Sequence, residues 1–216
     1  MKSLFDCRLY AFVDTAYLNE RTPEEITTQL CEGGADLIQL RAKQSSIEQT
    51  RFIAQSILPI TQAAGVRLVI NDHLAMAQEL GADLCHLGQE DFFDAGHTHV
   101  SELRVPHSRC GIGISTHAPE QAQRAVAAGA DYVAIGPVYA TGTKPSATPV
   151  TLAYVRWAKE NLTLPWFAIG GINLSNLDDV LDAGAERICV VSAILNSTNI
   201  ATTCREFRRR MDGRLG

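Results

Sequence analysis

The chain has 216 residues, 46% of them hydrophobic, with 19 Lys and Arg against 24 Asp and Glu. This length supports one domain with a sizeable core, and a net charge of −5 argues against a nucleic-acid or anionic-membrane partner. The N-terminus mixes Lys2, Asp6 and Arg8 without an unbroken apolar segment, so neither a signal peptide nor a membrane span is expected and the chain reads as cytoplasmic. Six cysteines (Cys7, Cys31, Cys85, Cys110, Cys189 and Cys204) lack pair spacing, and several lie in apolar runs. That usage fits buried free thiols in a reducing compartment better than disulfides or zinc.

Strand-like and helical periods alternate along the chain. Arg8 to Val13 reads as a strand, and Thr22-Pro23-Glu24-Glu25 opens a helix with a cap residue, an early proline and early acids. That helix runs to Gly33-Gly34, followed by a strand from Asp36 to Arg41. Ser46 to Ala64 is helical and stops at Gly65; Val66 to Ile70 is a strand, and a helix ending near Gly81 follows Asn71-Asp72. Asp83 to Leu87 is the fourth strand, and the looser stretch from Gly88 to Ser108 holds a short helical pattern. Then come strand Gly111–Ser115, helix Pro119–Ala128 and strand Tyr132–Ile135. A polar loop from Gly136 leads to a helix from Val150 to Asn161, strand Trp166–Ile169, helix Ser175–Ala183, strand Arg187–Val191 and a terminal helix.

One phrase recurs where helices give way to strands: Gly34-Ala35-Asp36, Gly81-Ala82-Asp83, Gly129-Ala130-Asp131 and Gly184-Ala185-Glu186. Glycine adopts the left-handed conformation that ends a helix and turns the chain into the sheet. The eight strand-like runs are apolar almost throughout, as parallel strands covered by helices are. Eight strand-then-helix units predict a (β/α)8 TIM barrel occupying residues 1–216 as a single domain, with a doubly wound open sheet as the alternative.

Barrels of this kind carry their chemistry where strands end. Polar residues collect there: Gln39, Arg41 and Lys43; Asn71 and Asp72; His86 and Asp91; Ser115; Thr141, Thr143 and Lys144; Gly170-Gly171; Val191-Ser192. Any one of these could be a helix cap, but Arg41, Lys43 and Lys144 are poor caps. With Asn71 and Ser115 they would hold an anion more highly charged than a single phosphate. Asp72 and Asp91 suit a Mg2+ ion, which prefers a couple of carboxylates completed by substrate phosphate oxygens. Backbone amides of Gly171, Val191 and Ser192 offer a separate monophosphate site, with Thr141 and Thr143 between the two. Two phosphorylated groups and one metal point to transfer with loss of diphosphate.

The set formed by Gln39-Leu40-Arg41-x-Lys43, Asn71-Asp72, His86-Leu87-Gly88-Gln89-x-Asp91, Gly113-Ile114-Ser115-x-His117, Gly136-Pro137 through Thr141-x-Thr143-Lys144, Ala168 to Ile172 and Val190 to Ile194 resembles thiamine phosphate synthase. The resemblance runs from Leu9 to Leu195. It implies an enzyme joining 4-amino-5-hydroxymethyl-2-methylpyrimidine diphosphate to 4-methyl-5-(2-hydroxyethyl)thiazole phosphate, giving thiamine phosphate and diphosphate. By the same resemblance Gln39 and His86 contact the pyrimidine, and Arg41, Lys43, Asn71, Ser115 and Lys144 clasp the diphosphate. Asp72 and Asp91 would bind magnesium, while Thr141, Thr143, Gly171, Val191 and Ser192 would receive the thiazole phosphate. His117 reads as a plain helix-start residue. The chain departs from the family at His73, at Ala42 and in Phe12-Val13-Asp14-Thr15. A thiazole tautomerase on the same barrel and a non-catalytic phosphate-ligand sensor are the competing readings. Exposed outer helices leave room for a homo-oligomer.

Overall fold

The computed structural model describes residues 2–142 and 148–214. Eight parallel strands follow one another around a closed barrel: β1 (Leu9–Asp14), β2 (Leu37–Arg41), β3 (Arg67–Asn71), β4 (Leu84–Gly88), β5 (Gly111–Thr116), β6 (Tyr132–Ile135), β7 (Trp166–Ile169) and β8 (Ile188–Cys189). Pairing of Leu9 with Ile188 and of Tyr10 with Cys189 closes the ring, which excludes the open doubly wound sheet.

Helices α1 (Pro23–Glu32), α2 (Ile47–Ala64), α3 (Leu74–Leu80), α4 (Gln89–Asp94), α5 (Pro119–Ala127), α6 (Thr151–Asn161), α7 (Leu177–Asp182), α8 (Ser192–Leu195) and α9 (Ile200–Asp212) alternate with the strands. Thr22 and Ser46 cap α1 and α2 through reciprocal bonds with Glu25 and Gln49, satisfying amides that have no partner inside the helix. None of the described helices is long and apolar enough to cross a membrane.

The repeated Gly-Ala-Asp phrase does two jobs. Gly34, Gly81, Gly129 and Gly184 all have positive φ, as the sequence pattern requires. At three of the four the aspartate that follows then receives backbone amides at the start of the strand before it, whereas Glu186 pairs with Lys159. Asp36 accepts from Arg8 N and Leu9 N, Asp83 from Leu68 N, and Asp131 from Ile112 N. Each aspartate also meets an arginine: Arg208, Arg67 and Arg104 respectively. These groups stitch the barrel at its strand N-termini, leaving the opposite rim for other work.

Two segments differ from the sequence expectation. Strand β8 is only two residues long: Val190 N still bonds Tyr10 O, but Val191 (φ −113°, ψ −88°) turns the chain into α8, a helix the pattern did not reveal. Helix α7 starts at Leu177 and not at Ser175, because the Asn173 and Asn176 side chains first build a tight turn: Asn176 Oδ1 accepts from Asn173 N, and Asn173 Oδ1 from Ser175 N. All six cysteines are unpaired thiols, buried except for half-buried Cys31.

Candidate active site

A cavity of about 150 Å3 opens at the C-terminal ends of the strands. Gln39, Arg41, Lys43, Asn71, Asp72, His86, Asp91, Ser115, Thr141, Gly171, Val191 and Ser192 all line it, so every expected site residue that is described faces one space. Thr143 and Lys144 lie outside the described residues.

The cations are less free than the sequence suggested. Arg41 and Asp14 are partners in the β1–β2 register, and an Arg41 guanidinium N–H donates to Asp14 Oδ2 at 2.8 Å. Asp14 is 1% exposed, and its other oxygen accepts from Ala16 N at 3.0 Å. The guanidinium is thereby held on one side, with its remaining donors left for the cavity. Lys43 forms an ion pair with Asp72. Two of the three cations expected to converge on an anion alone therefore have carboxylate partners at rest.

Asp72 itself sits in an uncommon backbone state. Its φ is 64°, in the left-handed region that non-glycine residues seldom adopt. Asp72 N donates to His86 O and His73 N to Asn71 O, which hold the turn that ends β3 at the rim. Such outliers collect at functional sites. Asp91 lies in the first turn of α4 beside Gly88, where a Cβ would come within 2.5 Å of Asp91 Oδ2. The Asp91 carboxylate thus packs against the bare backbone of Gly88, in the space a side chain there would take.

Across the cavity, Gly170 and Gly171 have φ of 101° and 66°. They pass so close to the β6 loop that a Cβ would lie 2.3 Å from Pro137 Cβ or 2.6 Å from Ala140 O. The Asn173 and Asn176 side chains both donate to Gly171 O, fixing the peptide plane.

A family model for thiamine monophosphate synthase matches residues 9–194. The chain belongs to the thiamine monophosphate synthase family. The thiamine-phosphate synthase of Thermus thermophilus is 44% identical over 188 residues, covering 87% of this chain and 88% of that protein. That of Herpetosiphon aurantiacus is 43% identical over 204 residues, covering 94% and 95%. The solved thiamine phosphate pyrophosphorylase from Pyrococcus furiosus superposes with a TM-score of 0.85 at 28% identity, covering 97% of this chain and 98% of that one. The chain is accordingly a transferase of thiamine biosynthesis.

Of the side chains lining the cavity, the Asp72 and Asp91 carboxylates are of the donor type a magnesium ion takes. Among the described residues no group of three or more His, Cys, Asp or Glu could hold a metal; Asp72 and Asp91 both line the cavity, with Asp72 paired to Lys43. Two carboxylates on one cavity are the donors of a hard cation that takes few protein ligands and completes its shell with other oxygens.

Some site residues carry no legible signal in the sequence. Asp14 stands out there only as a departure in the first strand, yet it anchors Arg41. Tyr10 also lines the cavity, though its apolar run reads as core. His117 is more than a helix-start residue: its Nδ1 donates to Gly136 O, since a carbonyl only accepts, and braces the start of the β6 loop. The ring also lines the cavity.

Proposed function

We propose that the chain condenses 4-amino-5-hydroxymethyl-2-methylpyrimidine diphosphate with 4-methyl-5-(2-hydroxyethyl)thiazole phosphate to give thiamine phosphate and diphosphate. The observation that carries this reading is the meeting of Arg41, Lys43, Asp72, Asp91 and Ser115 in one cavity with Gly171 and Ser192. The first group suits a metal-bound diphosphate, the second a monophosphate.

In this reading the methylene C–O bond breaks and its electron pair leaves with the diphosphate. The pyrimidine amino group donates electron density to the methylene left behind, and the thiazole nitrogen lone pair closes the new C–N bond. Asp72 and Asp91 would hold a magnesium ion, which when bound would supply positive charge against that of the diphosphate. Arg41 and Lys43, together with Lys144, donate to the negative charge that grows during departure. Asn71 and Ser115 add neutral donors. Because Asp14 holds Arg41 in place beforehand, little reorganisation is needed as the charge develops. Gly171, Val191 and Ser192, with Thr141 and Thr143, hold the thiazole phosphate so that its nitrogen faces the methylene. Gln39 and His86 meet the pyrimidine. No side-chain nucleophile takes part, in keeping with the burial that raises the thiols.

The test is incubation of the purified protein with both substrates and Mg2+, following diphosphate and thiamine phosphate together. Equimolar appearance of the two supports the proposal. Aromatisation of a thiazole phosphate tautomer without diphosphate release would replace it with the isomerase reading, and binding without turnover with the sensor reading.

A further inference from the structure

Four side chains crossing the barrel interior are joined end to end. Gln39 on β2 donates from Nε2 to the Tyr10 hydroxyl on β1 at 2.5 Å. The Tyr10 and Tyr132 hydroxyls are 3.0 Å apart, and the Tyr132 hydroxyl on β6 lies 3.0 Å from His86 Nδ1 on β4. Gln39, Tyr10 and His86 line the cavity, and Tyr132 links them from behind. Both tyrosines are fully buried.

Hydrogen counting gives this chain a direction. An amide nitrogen only donates, so the Tyr10 oxygen accepts from Gln39. Tyr10 has a single hydrogen, and the Tyr132 oxygen is the acceptor in reach. Tyr132 in turn has a single hydrogen, which goes to His86 Nδ1. In the reverse order, His86 Nδ1–H would donate to Tyr132 and Tyr132 to Tyr10. The Tyr10 hydrogen would then be buried without an acceptor, which costs free energy. Burial pushes both phenols well above their ordinary range, so neither loses its proton.

The rings are held as firmly as the protons. Tyr132 packs edge-on against Tyr10 and Phe167, and the His86 ring lies along it at 5.6 Å. Gly113 on β5 is bare where the Tyr132 ring passes, because a Cβ there would sit 2.0 Å from Tyr132 Cζ.

We propose that Tyr10 and Tyr132 are positioning residues that keep His86 Nδ1 an acceptor, so that Nε2 carries the ring hydrogen, and hold Gln39 with its carbonyl toward the cavity, so that the site selects an amino-bearing heteroaromatic ring. The ring-selection part rests on the pyrimidine substrate proposed above. A 4-aminopyrimidine carries an amine that donates and ring nitrogens that accept, complementing a Gln39 carbonyl and a His86 N–H. A 4-oxo ring places an acceptor where the amine was and an N–H beside it, so it opposes both.

The first measurement needs no substrate. Nitrogen NMR of the histidine-labelled, ligand-free protein, with His86 assigned by its loss in His86→Gln, reads the tautomer directly. The expected result is Nε2–H in the wild type and loss of that fixed tautomer in Tyr132→Phe, whose retained ring keeps the packing. Nδ1–H in the wild type, or an unchanged tautomer in Tyr132→Phe, would overturn the proposal. The second measurement is calorimetric binding of 4-amino- and 4-oxo-5-hydroxymethyl-2-methylpyrimidine. The wild-type preference for the amino ring should fall about tenfold or more in Tyr132→Phe, as one positioned hydrogen bond is lost. An unchanged preference would refute the selection. A wild-type protein showing the Nε2–H tautomer but binding neither ring would support the hydrogen-bond chain and sink the pyrimidine substrate instead.

Discussion

Replacing Asp14 by asparagine removes one negative charge from beneath the rim and changes little else in shape. The carbonyl of the introduced amide can still accept from Ala16 N, so the turn after β1 keeps its bond. Arg41 then faces a neutral amide where it had a carboxylate oxygen at 2.8 Å. A hydrogen bond to a charged group contributes about 1.5–3 kcal/mol, and breaking a fully buried ion pair costs about 3–5 kcal/mol. The Arg41 side chain is 16% exposed while Asp14 is 1% exposed, so solvent relieves part of the penalty. A loss of about 2 kcal/mol is expected, read by urea denaturation of the ligand-free protein. Magnesium diphosphate should then stabilise the variant more than the wild type, because it supplies the anion that Arg41 has lost. A stability change below about 0.5 kcal/mol, or equal stabilisation of both proteins by magnesium diphosphate, would refute the claim that Asp14 holds Arg41 for the anion.

Gly88→Ala tests the space beside Asp91. The backbone at Gly88 (φ −66°, ψ 142°) accepts any residue, so the fold should persist while the magnesium concentration for half-maximal rate rises about tenfold or more. At the other end of the barrel, Asp131→Ala leaves Ile112 N and Arg104 without their carboxylate and should lower stability by about 1–3 kcal/mol in denaturant melts, with kcat unchanged. Burial raises Cys7 and Cys31 to about 11 and Cys110 and Cys204 to about 12. Since the thiolate is the reactive form, iodoacetamide at pH 8 should label the native protein at least about a hundredfold more slowly than the urea-unfolded chain. Labelling of these four at the unfolded rate would contradict their placement.

Much of the fold was readable because a parallel barrel repeats one simple rule. Apolar runs such as Tyr132–Ile135 alternate with capped helices, and each Gly-Ala-Asp phrase marks a helix giving way to a strand. The rim residues were readable for a related reason: a charged side chain immediately after an apolar strand has few structural uses. Partnerships across strands were harder to see. Asp14 meets Arg41 only because β1 and β2 pair in one particular register. Tyr10 and Tyr132 are far apart in sequence and lie in apolar runs, where a tyrosine reads as core until the barrel brings the hydroxyls within 3.0 Å. The departure of the chain into α8 depends on Val191 turning at the closing seam, which no local pattern announces.

The central claim is that charges from separate strands act together on one departing diphosphate. A double-mutant cycle on the single-turnover rate of C–O cleavage, using Arg41→Ala, Asp91→Asn and the combined variant, tests it most directly. Joint action predicts a coupling of about 1 kcal/mol or more between the two sites. Effects that add to within about 0.5 kcal/mol would show the two groups acting independently and would contradict the account.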